Sequence, residues 1–258
     1  MHPSAWKTVA AAAAGPDKGE RGCQDAVGLR VVRHKGQSAL VVVLADGAGS
    51  ARWGGDAARL AVKTALEFAV TRLTRRMAGK ARKVHWRVAD TALALERARR
   101  AVTRAAAAAG DALGDWGTTA LVAVLTEEAA VLGQIGDGAI CLCHKGAWSC
   151  PLWPDLDGYV NVTAFLTHPK APMQACVAAP ADAVILVSDG LQALALDYKN
   201  RVPHQPFCEG VVRELQRSAD SRKLQRDLQR WLGSAAVRAR TDDDTSLAMA
   251  VRPEVAAP

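Results

Sequence analysis

No stretch of the sequence is apolar for long enough to cross a bilayer. The alanines that follow Trp6-Lys7-Thr8-Val9 lack a strongly apolar centre, so this segment reads as a first strand ending at Gly15-Pro16 and not as a secretion signal. The six cysteines, Cys23, Cys141, Cys143, Cys150, Cys176 and Cys208, contain no Cys-x-x-Cys pair, which removes the common zinc signatures. His2, His34, His85, His144, His168 and His204 show no metal-ligand spacing. No Gly-x-x-x-x-Gly-Lys-Ser/Thr loop is present, which excludes a P-loop nucleotidase. No Gly-x-Ser-x-Gly elbow is present either, which excludes that type of serine hydrolase. Aromatic residues make up only 5% of the chain and none are interleaved with its basic runs. A net charge of +7 therefore permits polyanionic or acidic partners, but the stacking platform of a nucleic-acid binder is missing.

What remains is an ordinary globular composition, 50% hydrophobic and 23% charged over 258 residues. That is enough for one domain over 1–258 held by burial and not by covalent staples. Cys141 and Cys143 sit two apart in an apolar run, so they share one face of a strand. Read as small buried thiols, they imply a reducing compartment, and a cytoplasmic monomer is expected.

Residues 26–33 and 39–45 read as strands around the polar turn His34-Lys35-Gly36-Gln37. From Gly54 the spacing becomes helical, with Ala58, Val62, Ala65 and Ala69 recurring on one face. A basic stretch over 71–87 reads as a solvated helix end, and a second helix is expected over 84–108. Strands follow at 117–126, 129–135, 139–143 and up to Cys150. Residues 151–183 are Pro-rich and irregular. A strand at 183–187, helices at 206–217 and 219–233, and a closing strand at 245–251 complete the chain. Hairpin-joined strands flanked by helix pairs predict an α+β fold of two packed antiparallel sheets.

The chemistry lies in where the aspartates fall. Asp46 and Asp189 each end an apolar strand and each precede a glycine. Asp137 follows a strand between two glycines, Asp25 precedes a strand, and Asp242 to Asp244 precede the last one. A single Asp-Gly is an ordinary turn dipeptide, and Asp111, Asp157 and Asp182 read as turn residues, not ligands. Several strand-end carboxylates together suit hard cations such as Mg²⁺ or Mn²⁺, which take oxygen ligands. Two such ions can clamp a phosphate and activate a water.

Taken in order, these residues resemble the metal-dependent protein phosphatases of the 2C type. Gln24-Asp25-Ala26 is similar to the first acidic motif of that family, and Leu44-Ala45-Asp46-Gly47-Ala48-Gly49 to its central Asp-Gly motif. Gly117-Thr118-Thr119-Ala120, Gly136-Asp137-Gly138, Ser188-Asp189-Gly190-Leu191 and Asp242-Asp243-Asp244-Thr245 follow in the same order. The segment 158–167 resembles a bacterial branch of the family.

The resemblance implies an α-β-β-α sandwich with two Mn²⁺ or Mg²⁺ ions at one end. Asp46 would bridge both ions and the Gly47 carbonyl would bind one. Asp189 and Asp242 would bind the other, and Asp25 would support the site. Asp137 corresponds to a weaker third site. The implied reaction is hydrolysis of phosphoserine or phosphothreonine in a protein substrate, with a partner kinase implied. Three departures stand out: Arg21 is one residue displaced from the family's phosphate-gripping arginine, Gln24 replaces a common Glu, and Ala48 stands where some members carry a His. The alternative is a module of the same fold that binds a phosphorylated partner without turnover.

Overall fold

Period-two burial along the strands decides the layering. In β3 (Gln37–Ala45), Val41, Val43 and Ala45 face one apolar layer while Leu40, Val42 and Leu44 face another, and all are buried. The computed structural model describes residues 6–16, 18–19, 22–79, 81–154 and 164–252. In these, β1 (Lys7–Ala13) and β2 (Ala26–His34) precede β3. Helices α1 (Gly54–Ala78) and α2 (Val88–Ala109) follow. Then come β4 (Ala120–Leu125), β5 (Ala130–Ile135), β6 (Ala139–His144), β7 (Ala147–Ser149), β8 (Gln174–Ala178) and β9 (Ala183–Val187). A short helix α3 (Gln192–Ala195) leads to the small ladder of β10 (Leu196–Asp197) with β11 (Val202–Pro203). The chain closes with α4 (Gln205–Arg217), α5 (Ser221–Leu232), α6 (Ala235–Arg238) and β12 (Thr245–Val251).

The strands form two antiparallel five-stranded sheets, ordered β1-β12-β9-β6-β7 and β2-β3-β4-β5-β8. Leu44, Leu121, Ile140, Leu186 and Ala248 pack between them. Helices α1 and α2 cover the second sheet with an alanine-rich face, Ala57, Ala61, Ala65 and Ala69, which lets helix and sheet approach closely. Helices α4 and α5 cover the first sheet through Cys208, Leu215, Leu228 and Leu232, against Ile185 and Met249. This is the expected α-β-β-α sandwich.

Several elements depart from expectation. Strand β8 lies inside the stretch read as irregular. It is an edge strand with Val177 61% exposed, so it carries no apolar alternation to read. Helix α2 begins at Val88, because Val84 and Trp86 are buried in extended chain and Asp90 caps the start by accepting from the Arg87 N–H at 2.9 Å. The β2–β3 turn is only two residues, Lys35 and Gly36, both with positive φ, so the strands run closer together in sequence than read. The basic run is more than a solvated helix end, since Arg72 and Arg76 both bond Asp90, whose side chain is 3% exposed. Cys141 and Cys143 share the helix-facing side of β6, and all six cysteines are free. Among the described residues no helix is long and apolar enough to cross a membrane.

Candidate functional site

The central strands of both sheets end at one place. Asp46 follows β3 in one sheet, and Asp189 follows β9 in the other. Asp25 leads into β2, and Asp243 stands two residues before β12. The residues after β3 are tied to the Gly117-Thr118-Thr119 segment. The Thr119 hydroxyl accepts from the Asp46 N–H at 2.9 Å, and the Asp46 carbonyl accepts from Thr119 N–H and the Thr118 hydroxyl at 2.8 Å each. Ala48 donates its N–H to Gly117 at 3.0 Å. Gly47 is then pressed against the start of α1, where a β-carbon would lie 2.4 Å from the Gly54 carbonyl carbon, so no side chain fits. Gly190 is held the same way, since a β-carbon there would fall 2.1 Å from the Asp244 carbonyl oxygen. On the third loop Gln134, buried in β5, donates to the carbonyls of Gly136 and Gly138 at 3.0 and 2.9 Å and fixes the turn that carries Asp137.

The carboxylates crowd one another. Burial, then the charges of Asp25 and Asp189, push Asp46 up to about 11, and its carboxyl meets that of Asp189 at hydrogen-bonding range. Burial pushes Asp25 up to about 7. The Ser188 and Ser246 hydroxyls face Asp25 and favour its charged form, yet neither carboxylate oxygen closes a hydrogen bond of good geometry. Asp189 is raised mainly by burial, with the charges of Asp137 and Asp243 adding, and its Oδ1 is buried without a partner. Orphaned buried carboxylate oxygens are expensive unless a cation answers them. Among the described residues no three His, Cys, Asp or Glu side chains converge into a ready-made cage. A Mg²⁺-type ion keeps several waters and needs only one or two carboxylates, so an all-oxygen cluster of this openness fits it.

The structure brings Asp25, Asp46, Gly47, Asp137 and Asp189 to this end of the sandwich. It leaves Asp242 exposed, whereas the charge of the next residue, Asp243, acts on both Asp46 and Asp189. The reason is register. Asp244 is buried and accepts from the N–H groups of Gly15 and Gln24 at 2.7 Å each, pinning the β1–β2 connection to the start of β12. With Asp244 fixed inward, Asp243 is the residue turned to the cluster.

Arg21 lies outside the described residues, as do Asp157 and residues 158–163. A cation that sequence reasoning missed stands nearby. The Lys18 ammonium lies 2.9 Å from Asp243 and 3.5 Å from Asp244. Burial disfavours its charge, but Asp243, Asp244 and Asp46 outweigh this and raise its pKa. A lone lysine in a loop gives no sequence signal. Trp53 and Trp116, which flank the site motifs, pack on each other with ring centroids 6.2 Å apart.

The profile of the family described as Protein phosphatase 2C matches residues 17–233. The chain is 30% identical to the serine/threonine-protein phosphatase 3 of Escherichia coli K12 over 256 residues, covering 95% of this chain and 98% of that one. Its fold is similar to that of the catalytic domain of the serine/threonine phosphatase PstP, solved with two manganese ions, at TM-score 0.64 and 17% identity over 96% of this chain and 99% of that one. It is also similar to RsbX, solved with magnesium, at TM-score 0.56 and 13% identity over 96% of this chain and 95% of that one. Motif order, sandwich and carboxylate cluster agree with these matches, and the chain belongs to the protein phosphatase 2C family.

Proposed function

We propose that the chain is a phosphoserine/phosphothreonine protein phosphatase that works with two Mn²⁺ or Mg²⁺ ions held by Asp46, the Gly47 carbonyl, Asp189 and Asp243. Asp25 supports Asp46 from behind, and Asp137 belongs to a weaker third site. The observation that carries this reading is the set of buried, unpartnered carboxylate oxygens gathered where strands of both sheets end. When bound, the ions neutralise phosphate charge and make a water acidic enough to attack near neutral pH.

The chain's own residues position everything else. The Thr118-Thr119 bonds hold Asp46, and close packing on Asp244 holds the Asp189 turn. Ser188 is not a nucleophile, because it is fully buried and its hydroxyl accepts from the Ser246 N–H at 3.0 Å. In the mechanism that the family resemblance implies, water is the attacking group and no phosphoenzyme forms. Ala48 offers no acid for the leaving oxygen, so solvent supplies that proton. Lys18, paired with Asp243 and Asp244, adds a cation beside the cluster for a phosphate oxygen, in addition to the Arg21 that the resemblance suggests for that task. A module that only bound a phosphorylated partner would gain nothing from several carboxylates that repel phosphate.

The test is phosphate release from a phosphothreonine peptide with Mn²⁺, with and without chelator. Release that the chelator stops is expected. No metal-dependent release under any condition would sink the proposal.

A further inference from the structure

Helices α1 and α2 leave a groove of about 640 Å³ between them near the C-terminal end of α1. Four arginines line it, Arg72, Arg75, Arg76 and Arg97, against one lining carboxylate, Glu67. Phe68 forms part of the wall, with the Arg97 guanidinium 5.1 Å and the Arg72 guanidinium 5.8 Å from its ring centroid.

The arginines divide into two pairs. Arg72 and Arg76 both bond Asp90, so one carboxylate answers two guanidiniums and fixes them in place. Arg75 and Arg97 are exposed and make no ion pair or hydrogen bond among the described residues. Their forks are open to an anion, and Arg97 is steadied by Phe68, so it loses little freedom on binding.

We propose that this groove docks an acidic stretch of the phosphoprotein substrate, away from the phosphorylated residue. The inference rests on the phosphatase reading above, and it names a substrate feature. Helix α1 supplies the ruler. Its first turn abuts the Asp46-Gly47 loop, and Arg72 lies 18 residues further on, about 27 Å along the axis. An extended peptide covers that distance in roughly eight residues. A polypeptide suits the groove better than a nucleic acid. The aromatic ring in its lining already has guanidiniums against it, so it offers no platform for stacking bases.

Two phosphothreonine peptides test this, identical except for six glutamates or six glutamines placed about eight residues from the phosphate, on either side. Turnover of p-nitrophenyl phosphate, too small to reach the groove, serves as the reference for each protein. At low salt the glutamate tail should lower KM roughly five- to tenfold with kcat unchanged, and the advantage should fade as salt screens it. In the double variant Arg75→Gln, Arg97→Gln the advantage should vanish. These two side chains lie outside the Asp90 clamp, so the variant should keep its fold. Equal KM for both tails, or an advantage that survives in the double variant, would overturn the proposal. A short single-stranded RNA that displaces the glutamate peptide at lower concentration than the peptide itself would overturn it too. If wild type hydrolyses no substrate, the phosphatase reading fails separately. Fluorescence anisotropy of the labelled tails then still decides the groove, since glutamate-specific binding lost in the double variant supports it and its absence sinks it.

Discussion

Asp242, Asp243 and Asp244 are chemically identical, and the fold gives them three different surroundings. Asp244 is buried under two backbone donors, Asp243 faces Lys18 and the carboxylate cluster, and Asp242 is exposed. Asp243→Asn should therefore cut turnover by at least about a hundredfold, a loss of nearly 3 kcal/mol of transition-state stabilisation, while Asp242→Asn changes it less than about twofold. Steady-state rates at saturating Mn²⁺ check this, and equal losses in both variants would show that the register argument is wrong. Asp137 sits on a turn held by Gln134 and adds its charge to Asp189. Asp137→Ala should lower the rate while leaving tight metal binding intact in a calorimetric titration. A rate unaltered at every Mn²⁺ concentration would remove Asp137 from the site.

At the scale of elements, the α1–α2 pair is locked by Asp90. Burial alone would raise this carboxyl, but hydrogen bonds from Arg76, Arg87 and Arg72 outweigh it and hold its pKa below the ordinary carboxylate value. A lowered folded value means that the clamp contributes fully above the unfolded value near about pH 4 and is lost as pH falls through the folded value. Asp90→Asn should cost about 1–3 kcal/mol at neutral pH, where the partly exposed arginines can take up water. The gap between wild type and variant should close in acid. Urea unfolding at two pH values measures it, and a gap that widened in acid would contradict the assignment. The same clamp explains why the basic run was misread as a solvated helix end. Its partner lies more than a dozen residues away, on another helix, beyond the reach of local charge patterning.

For the whole molecule, carboxylates from both sheets meet at one end, so the sandwich brings like charges together as it forms. A bound cation should repay that repulsion and stabilise the folded state by mass action. Saturating Mn²⁺ should raise Tm by about 5–10 °C for a chain of this length. Asp46→Asn should abolish most of that shift and all turnover, while leaving metal-free Tm unchanged or higher, because one crowded charge is gone. A metal-free Asp46→Asn protein that melted well below wild type would show that Asp46 holds the fold and does not merely burden it.

Much of this protein was legible before folding was considered. The apolar runs of β3 and β9, the alanine face of α1 and the glycine after each strand-end aspartate are local patterns, set by the strand and helix periods and by steric room. Their order was enough for the two packed sheets, and the family resemblance carried by the motifs pointed to Asp25, Asp46, Asp137 and Asp189, which the fold gathers at one end. Other features depended on contacts between residues far apart in the chain. Strand β8 exists because β5 offers it a ladder, not because its own five residues alternate. Lys18 reaches the cluster only when the β1–β2 connection is drawn onto Asp244. The proposal of Asp243 over Asp242 likewise draws on tertiary structure. Neighbouring residues at a strand end point in different directions, and only the backbone donors waiting at Gly15 and Gln24 decide which one turns inward.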